Sequence, residues 1–182
     1  VEQYYRNTKA TNWDEWSKSM SIGGVPATNF IYADKTGRVA YIYNALFPDR
    51  KPGYDYTKLL PGDTSAVMWA GPVGFDRYPK VVDPASGFVQ NANNTPFLAA
   101  GPGSEMDQSA YSPYLGIELG MTNRGLRATE LLAADTSITP DELLAIKMDM
   151  TYSKQSWVGA WMASFAALDL KDAPELAKAQ KL

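Results

Sequence analysis

Phe30-Ile31-Tyr32-Ala33-Asp34-Lys35-Thr36-Gly37-Arg38-Val39-Ala40-Tyr41-Ile42 is the stretch on which the fold turns. Asp34 to Gly37 is a turn signal, with Gly37 able to take positive φ. The flanks read as strands, over residues 25–34 and 38–47. Val39, Tyr41, Tyr43 and Ala45 point one way; Ala40, Ile42, Asn44 and Leu46 point the other. Both sets are largely apolar, so the return strand is expected to be covered on both faces.

Working outward, Asn12-Trp13-Asp14-Glu15 reads as a helix start, with Asn12 as cap and Glu15 at the third helical position. That helix should end near Ser21, before Gly23 and Gly24. Residues 48–84 are dense in Pro and Gly and read as irregular, anchored by Trp69, Phe75 and Tyr78. Residues 88–93 read as a short strand running into an Asn cluster, and 95–112 as loop. Ser112-Pro113 could open a helix, residues 122–134 read as helix, and Thr139-Pro140-Asp141-Glu142 is a strong helix start. Residues 155–170 read as a helix apolar on most sides, which wants a large partner surface. Strands first and helices later predict an α+β fold. The expected organisation is one segment: a lead-in helix over 1–24, a β-rich part over 25–96, a loop over 97–111, helices over 112–170 and a frayed tail over 171–182.

Composition narrows the chemistry. The chain has 182 residues, with 17 basic against 20 acidic side chains and a net charge of −3. Without a basic face it is a poor nucleic-acid binder, since phosphate affinity needs Lys and Arg. There is no Cys and no His. Disulfides, a thiolate nucleophile, Cys- or His-ligated metal and a Ser-His-Asp triad are therefore excluded within these residues. The longest apolar run, residues 157–168, falls short of the roughly 20 residues of a membrane span.

Asn91-Ala92-Asn93-Asn94 is the most informative polar feature. One reading is a turn or bulge held by side-chain-to-backbone bonds. The other is an oxyanion-hole donor, because a carboxamide offers two N–H groups and no titrating proton. Arg124 and Arg127 lie three apart on a helix beside Glu130, where an Arg–Glu pair on a solvated face is the plain reading. Gly103-Ser104 reads as an ordinary turn. Asp14/Glu15 and Asp141/Glu142 read as helix-start charges. The pairs Tyr4/Tyr5 and Tyr41/Tyr43 read as packing. No phosphate loop, dinucleotide fingerprint or EF-hand loop occurs. Five Trp and eleven Tyr keep a second class open: an aromatic-rich module that binds carbohydrate or peptide without catalysis.

Four segments, in order, resemble the penicillin acylase (penicillin amidase) family of N-terminal nucleophile hydrolases, over residues 27–149. The first comprises Asn29-Phe30-Ile31-Tyr32-Ala33-Asp34, Gly37-Arg38-Val39-Ala40-Tyr41 and Pro48-Asp49-Arg50. The second is Leu59-Leu60-Pro61-Gly62 with Trp69-Ala70-Gly71. The third, Asp83-Pro84-Ala85-Ser86-Gly87-Phe88-Val89-Gln90-Asn91-Ala92-Asn93-Asn94-Thr95-Pro96, is similar to the family's amide signature, with Asp83 for the usual Asn. The fourth runs from Arg124 and Arg127 through Glu130-Leu131-Leu132 to Thr139, Asp141 and Glu142.

The resemblance implies a partial αββα sandwich and an amide hydrolase that works without histidine. The family's nucleophile is a Ser at the N-terminus of its β chain, freed by self-cleavage, with its own α-amine as base. Asn93 matches the family's oxyanion-hole amide, and Arg124 matches an arginine that organises the catalytic centre. Arg127 matches a second arginine common in relatives. Because the chain opens on Val1, the nucleophile is expected upstream, and this segment alone is expected to be inactive. The implied partners are an acylated small-molecule amide and the remaining parts of a parent acylase, its α chain and the N-terminal part of its β chain. Neither nucleic acid nor a membrane span is expected. Substrate-binding residues stay unassigned, and so does the acyl group: a β-lactam side chain, an acyl-homoserine lactone or a lipopeptide chain. The chemistry needs no cofactor and no metal. Several members hold a structural calcium ion, for which Asp107 is the nearest local candidate, but that site is not carried over. Periplasmic or secreted location follows from the resemblance alone.

Overall fold

The computed structural model describes residues 1–181. The chain forms two compact units, Val1–Gly120 and Met121–Leu182. It is an α+β chain with one three-stranded antiparallel sheet among the described residues.

The first unit opens with α1 (Glu2–Lys9) and α2 (Trp13–Met20). Asn12 caps α2 as its residue type demands, its side chain accepting the Glu15 N–H at 3.0 Å. The hairpin follows in β1 (Phe30–Ala33) and β2 (Val39–Ile42), in the register Ala33 opposite Val39 and Phe30 opposite Ile42. Pairing resumes beyond the named strands, with Ala27 opposite Ala45.

Asp34 builds the turn. Its carboxylate accepts the Thr36 N–H at 2.8 Å, the Thr36 hydroxyl at 2.5 Å and the Tyr32 hydroxyl at 2.8 Å. Donors converging on it, Thr36 first and then Tyr32, hold its pKa down at about 2. Gly37 closes the turn at φ 91.

β2 is the centre strand. On its second edge lies β3 (Lys80–Val82), with Ala40 opposite Val82 and Ile42 opposite Lys80. The irregular reading of residues 48–84 missed β3, because three residues between prolines carry no periodicity. Ala40, Tyr41 and Ile42 are all buried, so both faces of β2 are covered as its pattern requires. Ala40 and Ile42 join a core of Trp16, Met20, Phe47, Val73, Tyr78 and Leu115. Trp16 packs against Phe30 and Tyr32, with ring centroids 5.9 and 5.1 Å apart, and so fixes α2 on the hairpin. Tyr4 and Tyr5, expected to pack, are 49% and 63% exposed on α1, although the Tyr4 ring meets Phe30 with centroids 6.2 Å apart. The strand expected over 88–93 is only a bridge, Val89 opposite Ala100, because the chain bends at Asn91. Pro113 opens a single 3-10 turn, Pro113–Leu115, instead of a helix. Gly116 ends it at φ 70, where a Cβ would lie 2.9 Å from Arg50 Nη1.

The second unit carries α3 (Asn123–Ala133), α4 (Pro140–Met148), α5 (Trp157–Ala166) and α6 (Pro174–Ala179). α4 begins with the capping box read from its sequence. Thr139 Oγ1 accepts the Glu142 N–H at 3.3 Å, and Glu142 accepts the Thr139 N–H at 2.7 Å. α5 is shorter than the periodicity suggested. Past its end, Gln180 Nε2 donates to the carbonyls of Phe165, Ala166 and Leu168 at 2.8 to 3.2 Å. No residue of α5 is buried, and Trp157 and Trp161 are 79% and 61% exposed. None of the described helices is long and apolar enough to cross a membrane.

Candidate active site

The amide cluster divides its labour. Gln90 enters it as the last paired residue, its N–H donating to the Ala99 carbonyl at 2.7 Å. Asn91 then turns the chain: its Oδ1 accepts the Asn93 N–H at 3.2 Å, an Asx turn. Asn94 is buried. Its Oδ1 accepts the Ala92 N–H at 3.0 Å and its Nδ2 donates to the Thr95 carbonyl at 2.8 Å. Thr95 is buried as well, and its N–H donates to the Gly120 carbonyl at 2.8 Å.

Asn93 sits between the buried Ala92 and Asn94 and is itself exposed, with left-handed backbone at φ 56. Asp83, at φ 49, is the other non-glycine residue in that region among the described residues. Asn and Asp are the side chains that tolerate it. The turn reading therefore accounts for Asn91 and Asn94. Asn93, exposed like Asn91, enters the turn through its backbone N–H.

Asp83 replaces the signature's usual Asn and performs an amide's task with a charge added. Its Oδ1 accepts the Val39 N–H at 3.0 Å, and its Oδ2 pairs with Arg38 Nε at 3.1 Å.

Asn93 is positioned by the first unit and Arg124 by the second. Thr122 caps α3 by accepting the Gly125 N–H at 3.0 Å, and Arg124 is the helix's second residue, exposed. Arg127 does more than the expected pair with Glu130. Its Nε and Nη2 donate to the two carboxylate oxygens of Asp149 at 2.9 and 3.1 Å, whereas Nη1 meets Glu130 at 3.4 Å. The Arg127 guanidinium beside it holds the Asp149 carboxyl down at about 2. Glu130 accepts the hydroxyl of the fully buried Ser153, whose N–H donates to Asn123 Oδ1 at 2.8 Å. This polar clasp ties the α4–α5 connection to α3. Sequence reading missed it, because Asp149 lies 22 residues from its partner.

Asp107 is exposed. Its carboxylate caps a short turn, accepting the Ser109 N–H and hydroxyl at 2.9 and 2.7 Å. Among the described residues no group of three or more acidic, His or Cys side chains is placed to hold a metal ion. Gly103-Ser104 is a turn, with Ser104 Oγ accepting the Ser86 N–H at 2.9 Å. A surface depression of about 300 Å³ beside the hairpin turn is lined by Arg38, Asp83 and Gly87 among others, but by neither Asn93 nor Arg124.

The family model of penicillin amidase matches residues 1–181. The chain belongs to the penicillin amidase family. The match extends beyond the span of residues 27–149 that carries the four motifs. Penicillin G acylase of Escherichia coli is 38% identical over 88 residues, which is 48% of this chain and 10% of that protein. The thermostable penicillin G acylase from Alcaligenes faecalis superposes with a TM-score of 0.66 at 23% identity, covering 96% of this chain and 30% of that one. That likeness speaks for the fold. The matched stretches thus cover about a tenth of the Escherichia coli protein and under a third of the Alcaligenes faecalis one.

Proposed function

We propose that this chain is part of a penicillin-amidase-type hydrolase that cleaves a non-peptide acyl amide bond, with Asn93 as an oxyanion-hole donor. The observation that carries the reading is the placement of Asn93: left-handed and exposed, on the bend that Asn91 and Asn94 hold. A carboxamide held this way needs no reorganisation when negative charge develops on a carbonyl oxygen.

In this reading an N-terminal Ser outside residues 1–182, released by self-cleavage of a precursor, attacks the amide carbonyl. Its proton passes to the Ser α-amine, and the carbonyl oxygen gains charge against the Asn93 Nδ2 donor. Collapse breaks the C–N bond, and the proton leaves with the amine. Water then cleaves the acyl ester by the same route in reverse. Arg124 supports the centre by its charge. The remaining parts of the parent, its α chain and the N-terminal part of its β chain, supply the nucleophile and the acyl pocket, so residues 1–182 alone are inactive. Penicillin G, an acyl-homoserine lactone and an acylated peptide are the amide classes to try. The family resemblance favours a periplasmic or secreted parent.

The test is Asn93→Ala in the full-length protein, assayed on the best of those three amides. Loss of one oxyanion donor lowers turnover by about 100- to 1000-fold with little change in substrate binding. Unchanged turnover removes Asn93 from the mechanism.

A further inference from the structure

We propose that Asn29 and Asn91 are positioning residues for Asn93, acting through one shared oxygen. The inference rests on Asn93 being the oxyanion donor and names what holds it in place.

Asn91 Oδ1 accepts two bonds, from the Asn93 N–H at 3.2 Å and from Asn29 Nδ2 at 3.2 Å. Both groups are donors, so only the carbonyl end of the Asn91 carboxamide satisfies them. The second torsion of an Asn side chain is otherwise broad and roughly two-fold. Asn29 selects the orientation in which Asn91 presents oxygen to the Asn93 backbone. The reverse orientation would set an NH₂ group against two N–H donors.

Asn29 precedes Phe30, the first residue of β1, and lies 62 residues from Asn91. The entry of the hairpin is thereby tethered to the bend. Asn94 pins the far side of the same bend by holding Ala92 and Thr95. Asn tolerates φ 56 without preferring it, so its surroundings help to hold it there. The direction of the Asn93 side chain follows from that backbone. Displacing a positioned group by about 1 Å can cost two orders of magnitude in rate, and loosening one of two anchors should cost less.

The experiment compares kcat and KM of five variants of the full-length protein on its best amide: Asn93→Ala, Asn91→Ala, Asn91→Ser, Asn29→Ala and the double variant Asn29→Ala with Asn91→Ala. Asn91→Ala is expected to lower kcat about tenfold with KM within about twofold. Asn91→Ser restores most of the loss, since a neutral hydroxyl accepts the same N–H. Asn29→Ala lowers kcat about threefold and adds nothing in the Asn91→Ala background, because both act through one oxygen. Equal losses in Asn91→Ala and Asn91→Ser, or wild-type kcat in Asn29→Ala, overturn the proposal. Asn29→Ala decides alone if the position-91 variants do not fold. If Asn93→Ala itself leaves kcat unchanged, it is the oxyanion reading that falls.

Discussion

Asp83 and Val39 hold each other by a reciprocal pair of bonds: the Asp83 N–H donates to the Val39 carbonyl at 2.7 Å, and Asp83 Oδ1 accepts the Val39 N–H at 3.0 Å. The pair closes the sheet at the start of its centre strand and sets where the amide signature leaves it. The added ion pair with Arg38 is largely solvated, with side chains 37% and 47% exposed, and is worth at most about 1 kcal/mol. Asp83→Asn, which restores the family's usual residue, keeps both the acceptor and the tolerance for φ 49. It is expected to change unfolding free energy by less than about 1 kcal/mol. Asp83→Ala loses the acceptor, about 1 kcal/mol, and strains the left-handed backbone by roughly 1–2 more. Urea unfolding of the two variants separates these outcomes.

Asp149 makes the second unit acid-sensitive. Its folded pKa is depressed from the ordinary 3.8 to about 2 by Arg127. A depressed carboxylate stabilises the fold fully above its unfolded pKa, and that contribution disappears as pH falls from 3.8 through about 2. A carbon-detected titration of Asp149 should show the low midpoint. In Arg127→Ala the midpoint should return toward the ordinary value, and α3 should loosen from the α4–α5 connection. An unmoved midpoint in that variant would show that Arg127 is not the cause.

Gly159 inverts the usual rule for glycine in a helix. Replacing a helical Gly with Ala ordinarily gains about 0.5–1 kcal/mol. At this position a Cβ would clash with the Ser153 carbonyl oxygen and lie 2.8 Å from Lys154 Cα, both backbone atoms that cannot swing away. Overpacking of that kind costs roughly 1–3 kcal/mol. Gly159→Ala is therefore expected to lower the melting temperature, and a raised one would contradict the close approach of α5 to Ser153.

Tyr41 is fully buried in β2, and among the described residues its hydroxyl meets no hydrogen-bond partner. Burial, with a smaller contribution from Tyr43, pushes its ionisation upward. Removing an unpaired buried hydroxyl while keeping the ring relieves a desolvation cost. Tyr41→Phe should leave stability unchanged or raise it by about 1 kcal/mol, as read by thermal unfolding. Tyr→Phe at a paired hydroxyl would instead lose about that much.

The residues of this sequence announce whatever is local. Asp34 and Gly37 specify their turn because the donors and the positive φ lie within four residues of one another. Thr139 and Glu142 specify their capping box for the same reason, and the alternation of residues 39–46 specifies a strand covered on both faces. The Asn91 to Asn94 cluster marks the candidate site, since three carboxamides in four residues must be satisfied somewhere. Which of the three is buried and which stay at the surface was decided by folding. Asn94 is buried by its neighbours and Asn93 is not, and nothing in their order distinguishes them. β3, the Asp83–Val39 pair, the Arg127–Asp149 clasp and the Asn29–Asn91 tether were equally silent. Each joins residues 22 to 62 positions apart, or around 40 across the sheet, through one or two bonds. A hydrogen bond needs only a donor and an acceptor, which a polar chain offers everywhere. Only the packing of Trp16, Ile42, Phe47 and Tyr78 into one core brought the distant first-unit partners within reach.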